Sequence, residues 1–192
     1  MPNKQTFKRE SIEHAAFQLV RTKGMSELNA RSLAFALRCS TQPLFTYFKN
    51  MGEIKDRVIQ MSYDFFVEKV SKSYKDPNPV LSYCQYYLAF CQDEPYLYEL
   101  LFMTKANNDL VKRAINEQGK HLVDLLCKKT SLGLSEANVV YLQTWIYAQG
   151  LSTLFSTGLL SVNKDSASRM LEAQYRSALM MFDKQKGSKK PK

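Results

Sequence analysis

The twenty residues from Asn29 to Phe48, NARSLAFALRCSTQPLFTYF, constrain this chain more than any other stretch. Leu33, Ala34 and Leu37 are spaced as the buried face of one short helix, and Asn29 stands where its side-chain oxygen can cap the first turn. A second short helix follows within a few residues. Ser40 is placed to cap it, and Pro43 falls in its first turn, where no intrahelical donor is lost. Leu44 and Phe48, four apart, face a small core. Thr41, Gln42 and Tyr47 are left on the outer face, and Phe45 can point either way. About eight residues cannot sustain a helix alone, so the pair must pack on a third. That one runs from Lys8 to Lys23, with Ile12, Ala15, Ala16, Leu19 and Val20 as its stripe and Gly24 as a left-handed stop. A tight turn followed by a helix with polar and aromatic residues facing out is how a helix-turn-helix offers a recognition helix to the DNA major groove.

Helical spacing continues to the end of the chain. Helices are expected from about Gly52 to Lys72 (Ile54, Val58, Met61 and Phe65 forming the stripe), Pro79 to Cys91, Tyr96 to Met103, Asn108 to Lys129, Ser135 to Leu160 and Lys164 to Asp183. Asp76-Pro77-Asn78-Pro79 is a breaker whose last proline suits a first helical turn. With only 7 Gly and 6 Pro in 192 residues, a turn-rich β fold is disfavoured. The expectation is an all-α protein of about nine helices. Residues 1–53 would form the three-helix head, 54–183 a larger helical body for ligand binding and dimerisation, and 184–192 a basic disordered tail. No apolar run approaches the roughly 20 residues of a membrane span, and MPNKQTFKRE lacks the apolar core of a signal peptide. The chain is expected in the cytoplasm.

The net charge of +9 is unevenly spread. Residues 1–58 carry 10 Lys or Arg against 5 Asp or Glu, residues 59–182 carry 12 of each, and residues 183–192 carry 5 Lys and 1 Asp. The excess sits in the head and the tail, where released counterions would favour a phosphate backbone. The four cysteines, Cys39, Cys84, Cys91 and Cys127, form no CxxC pair and the two histidines lie far from them. No metal site, cofactor or disulfide is therefore expected. Cys84 and Cys91 share a helix face but stand about 10 Å apart along it, too far to bond. There is no Ser-His-Asp set, HExxH, Walker loop or GxGxxG, so no enzyme activity is expected.

The head resembles the TetR family of transcriptional regulators. That family's pattern is a capped T-x-x-x-[IL]-A helix followed by G-[VC]-S-x-x-[TP]-[LI]-[YF]-x-[HY]-F. Here it runs Asn29-Ala30-Arg31-Ser32-Leu33-Ala34 and then Arg38-Cys39-Ser40-Thr41-Gln42-Pro43-Leu44-Phe45-Thr46-Tyr47-Phe48, and the likeness covers residues 8–60. Arg38 stands where the turn usually has glycine, which predicts either a strained backbone there or a slightly different turn. Asn29 replaces the usual Thr and keeps the capping chemistry. Met51 stands where many members have Lys, with Lys49 as a substitute phosphate contact. Further on, Trp145-Ile146-Tyr147-Ala148-Gln149-Gly150 is similar to a W-x-x-x-H-G segment of some TetR-like proteins, with Gln149 in place of the His.

The resemblance implies a homodimeric DNA-binding regulator, in the simplest case a repressor released from a palindromic double-stranded operator by a small apolar or aromatic effector. A helical small-molecule-binding protein that does not read DNA is the alternative. Thr41, Gln42 and Tyr47 would meet base edges or methyl groups, with apolar help from Pro43 and Phe45. Arg31, Ser40 and Lys49 would meet phosphates, together with Asn29 at the start of the second helix. An effector pocket is expected from the aromatic run Tyr83, Tyr86, Tyr87, Phe90, Phe102 and Met103, with Met61 and Phe65. A dimer face is expected from Leu142, Trp145, Ile146, Leu154 and Phe155, with Tyr175, Leu179 and Phe182 on the last helix.

Overall fold

The computed structural model describes residues 8–104 and 108–187. Among these there are nine α-helices and no strand: α1 (Arg9–Lys23), α2 (Ala30–Ala36), α3 (Leu44–Tyr47), α4 (Met51–Ser71), α5 (Pro79–Asp93), α6 (Pro95–Tyr98), α7 (Asn108–Lys129), α8 (Leu134–Ser156) and α9 (Lys164–Gly187). The all-helical expectation holds. α9 continues to Gly187, and residues 188–192 of the expected tail lie outside the described residues. The chain divides into two compact units, Met1–Phe66 with Tyr96–Asn108, and Val67–Pro95 with Asp109–Lys192.

In the first unit, Ile12, Ala16 and Val20 of α1 are fully buried together with Leu33 of α2, Leu44 of α3 and Ile54 and Val58 of α4. α1 stops at Gly24, whose φ of 90° few side chains tolerate. A Cβ there would also come within 3.2 Å of the Tyr96 ring. The α4 stripe differs from the one expected. Met61 and Phe65 are only half-buried, while Ser62 and Phe66 are buried. Ser62 can occupy an apolar face because its hydroxyl donates to Val58 O at 2.7 Å, within its own helix. Phe65 packs edge-on against Phe17, and Phe66 against Phe102 in the π-turn (Glu99–Met103) that follows α6.

The second unit is built around α5. Six of its nine buried residues, Val80, Tyr83, Cys84, Tyr87, Leu88 and Cys91, follow a helical stripe, and it packs against α8 and α9. Polar side chains tie it to three helices. Tyr83 Oη donates to Gln118 Oε1 of α7 at 2.7 Å. Tyr87 Oη donates to Gln149 Oε1 of α8, and Gln85 Nε2 donates to Ser168 Oγ of α9 at 2.9 Å. Buried alanines, Ala137 and Ala148 on α8 and Ala167 and Ala178 on α9, remove side-chain bulk where these helices meet. α8 begins one residue before the expected Ser135, because the Glu136 carboxylate turns back to accept from Gly133 N at 2.8 Å. Among the described residues no helix is long and apolar enough to cross a membrane.

Candidate nucleic-acid interface

Asn29 caps α2 as expected. Its Oδ1 accepts from Arg31 N at 3.1 Å and Ser32 N at 3.0 Å, and its amide donates to Glu27 O. That side chain is therefore engaged in holding the start of α2. Arg38 sits in the turn with φ of 54°, the left-handed region predicted from its standing in a glycine position. Its N–H donates to Phe35 O and that of Cys39 to Ala34 O, which closes α2.

α3 is shorter than the eight residues expected. Only Leu44–Tyr47 is helical, and no side chain caps it, Ser40 included. Pro43 disfavours the α conformation at the residue before it, so the helix does not begin until beyond it. Leu44 N bonds three residues back, to Thr41 O, and Phe48 N four back, to Leu44 O. The single turn stays in place because Leu44 and Phe48 are buried beneath it. Gln42, Phe45 and Tyr47 are exposed on its outer side, Phe45 by 46% and Tyr47 by 38%. Thr41 and Pro43 are half-buried, while Arg31, Ser40 and Lys49 are exposed. Of the DNA-contact residues expected from sequence, only Asn29 is bound up in capping bonds.

A charged clamp not anticipated from sequence braces this surface from behind. Glu13, nearly buried on α1, accepts from Arg9 Nε at 3.0 Å and Arg57 Nε at 2.9 Å. Arg9 also donates to Glu53 Oε1 at 3.0 Å, and its guanidinium lies 4.6 Å over the Phe48 ring. Glu53 Oε2 accepts from Lys49 N at 2.8 Å, while Glu53 N donates to Asn50 Oδ1, so the start of α4 is capped in both directions. Desolvation pushes the Glu13 carboxyl up, but the bonds from Arg57 and Arg9 outweigh it and hold it below the usual range. The Lys49 N–H, and then Arg9, likewise hold Glu53 low. Both stay ionised at neutral pH. The visible signal is the Arg9–Glu13 pair, four apart on α1, with the glutamate inside the apolar stripe.

The expected effector residues divide between the units. Met61, Phe65, Phe102 and Met103 belong to the first and Tyr83, Tyr86, Tyr87 and Phe90 to the second. Tyr83 and Tyr87 are buried with their hydroxyls bonded, as described above. Tyr86 and Phe90 line a small cavity of about 250 Å³ with Lys69 and Lys72. A larger groove of about 920 Å³ lies between α7 and α8. Of the expected dimer residues, Leu142, Ile146 and Leu154 are exposed, Ile146 by 61%, and Tyr175 is buried. Trp145, Phe155, Leu179 and Phe182 are half-buried. Cys84 and Cys91 are buried free thiols, and burial raises both, Cys91 to about 11. Among the described residues no group of three or more His, Cys, Asp or Glu could hold a metal ion.

No family model matches the chain, and no curated protein matches it by sequence. Solved structures do. A TetR-like transcriptional regulator from Rhodococcus sp. RHA1 is similar over 94% of this chain and 98% of its own, with a TM-score of 0.67 at 16% sequence identity. The multidrug binding protein EbrR, complexed with imidazole, is similar over 86% of this chain and 88% of its own, with a TM-score of 0.55 at 15% identity. At such identities the shared property is the fold. The chain has the helical fold of a TetR-like regulator over most of its length.

Proposed function

We propose that this chain is a transcriptional regulator that binds a palindromic DNA operator as a homodimer, acting in the cytoplasm and without enzymatic activity. The observation that carries it is the outer side of α3. Gln42, Phe45 and Tyr47 are exposed on a turn anchored by Leu44 and Phe48 and flanked by Arg31 and Lys49. Gln42 offers a bidentate amide for adenine, and Thr41 a methyl contact for thymine. Arg31, Ser40 and Lys49 would fix the register on phosphates. The exposed apolar residues of α8, Leu142, Ile146 and Leu154, support pairing with a second copy, which would set two heads on half-sites about 34 Å apart or a multiple of that. A ligand held in the body would release the DNA, and linkage requires DNA to weaken the ligand in return. The shared fold with a TetR-like regulator supports repression as the simplest mode.

Selection of duplexes from a random pool tests this. It should return a palindrome, bound less tightly as salt rises. Gln42→Ala should then relax one position of the half-site, at a cost of about 1–3 kcal/mol, while Lys49→Ala weakens all sequences alike and flattens the salt slope. If both variants bind every duplex as the parent does, α3 is not the reading element. The α7–α8 groove favours a second reading, a ligand-binding protein that does not read DNA. Selection that yields no common sequence would point there.

A further inference from the structure

The α7–α8 groove carries more than its volume. About 920 Å³ lies within the range of roughly 300–1,000 Å³ that accommodates small organic ligands. Ile115 and Val123 of α7 and Leu134 and Leu142 of α8 supply apolar wall. The lining polar groups are weighted toward donors. Lys112 and Lys120 are exposed at the rim, and the lining carries one carboxylate, Asp124.

Among the described residues, three buried side-chain polar atoms have no hydrogen-bond partner: Tyr141 Oη, Trp145 Nε1 and Ser152 Oγ. Tyr141 and Trp145 both line this groove, four residues apart and so on adjacent turns of one wall. Each carries a desolvation cost that no protein group offsets. Tyr141 is 4% exposed. Its ring ends against Gly119 of α7, where a Cβ would stand 2.8 Å from the hydroxyl. Any residue larger than glycine at position 119 would therefore crowd the phenol. The indole N–H can only donate, so the group that completes it must be an acceptor. Burial holds the phenol in its protonated form, so it too has a proton to offer.

We propose that this groove is the effector site and that its ligand is an apolar molecule ending in a carboxylate, whose oxygens accept from Tyr141 Oη and Trp145 Nε1 with Lys112 and Lys120 at the rim. The effector role rests on the regulator reading above, whereas binding itself does not. Both donor atoms are buried, so the ligand head reaches them only as the groove lining shifts. Trp145 is the only tryptophan of the chain and lines the groove, so its emission reports binding there directly.

The test is a titration of the full chain with decanoate, read by Trp145 emission, with decanol and decyltrimethylammonium in parallel and all below micelle formation. Decanoate should give a saturable change, the alcohol should bind at least tenfold more weakly, and the ammonium should give none. Tyr141→Phe should melt at the same or a higher temperature than the parent when empty, because it loses an unpaired hydroxyl, yet bind decanoate at least tenfold more weakly. Lys112→Ala should weaken decanoate and leave decanol unchanged. Equal binding of all three probes, or a Tyr141→Phe variant that binds decanoate like the parent, overturns the proposal. So does Trp145 emission that responds to protein dilution but not to decanoate, which would mean a second copy fills the groove. If decanoate binds as expected but does not release a selected duplex, the effector role fails and the carboxylate site stands. If duplex binding is intact and decanoate does not bind, the site fails and the regulator reading stands.

Discussion

The two units use polar side chains in opposite ways. In the first, the bonds that join α1 to α4 are charged and partly open to solvent. Arg9 and Arg57 keep 46% and 43% of their side-chain surface exposed while both grip Glu13. In the second, the buried bonds at α5 are neutral, those of Tyr83 and Tyr87 coming from fully buried rings that donate to glutamines on α7 and α8, and its charged bond, Asp93 with Lys164, lies exposed at the helix end. A clamp of partly solvated charges answers to pH and salt, whereas a buried neutral bond answers to neither. The difference assigns the medium-sensitive geometry to the surface proposed to meet DNA and the insensitive geometry to the region proposed to hold a ligand.

The largest effect should come from the apolar anchor that the clamp sits on. Phe48→Ala removes the ring beneath Arg9 and one of two anchors of α3, and should cost about 3–5 kcal/mol. Hydrogen exchange should locate the loss in residues 9–66 while the amides of α5 and α8 stay protected. Equal deprotection of both regions would break the contrast.

A smaller effect separates the two kinds of bond. Glu13 and Glu53 are held below the usual carboxylate range when folded. Their contribution is therefore complete above the unfolded-state range and is lost as pH falls through their folded-state values. Lowering the pH from 7 toward about 3 should open the first unit before the second, and Glu13→Gln should remove much of that dependence. Tyr83→Phe, by contrast, should cost about 1–3 kcal/mol by leaving the Gln118 carbonyl without its buried partner, by the same amount across this pH span. Acid melts of the three proteins would show it.

The smallest effect concerns the turn. Arg38 holds a left-handed backbone at a cost of about 1–2 kcal/mol, and glycine would remove that cost while losing about 0.5–1 kcal/mol to chain entropy. Arg38→Gly should therefore stabilise the first unit by up to about 1.5 kcal/mol, measurable as a small rise in denaturant midpoint.

Much of the fold was legible because apolar spacing and end signals agreed. Gly24, Asn29 and Pro79 each mark a boundary that the structure keeps. The failures have local causes. α3 is shorter than its pattern suggests because Pro43 disfavours the α conformation at the residue before it. The second half of the α4 stripe, beyond Ile54 and Val58, is turned by one residue because a serine bonded to its own helix passes for a surface position. The clamp was missed as a whole because Glu53 and Arg57 lie on α4, which only the fold brings against Arg9 and Glu13 of α1. The aromatic run from Tyr83 to Phe90 announced burial but not what its hydroxyls would meet, since Gln118 and Gln149 lie far along the chain. The α7–α8 groove left no periodic trace, because a space between helices has no spacing of its own.

The exposed residues of α8 have one further consequence. Asn138, Leu142, Ile146, Gly150 and Leu154 are all open to solvent and each is four residues from the next. Four residues turn an α-helix about 40° past a full revolution, so this ridge is a slanted line that swings about 160° around the axis from Asn138 to Leu154. Two copies meshing the same ridge would cross at about −50°. They would touch over a few turns near Ile146 and then diverge, in an X whose centre is set by one isoleucine.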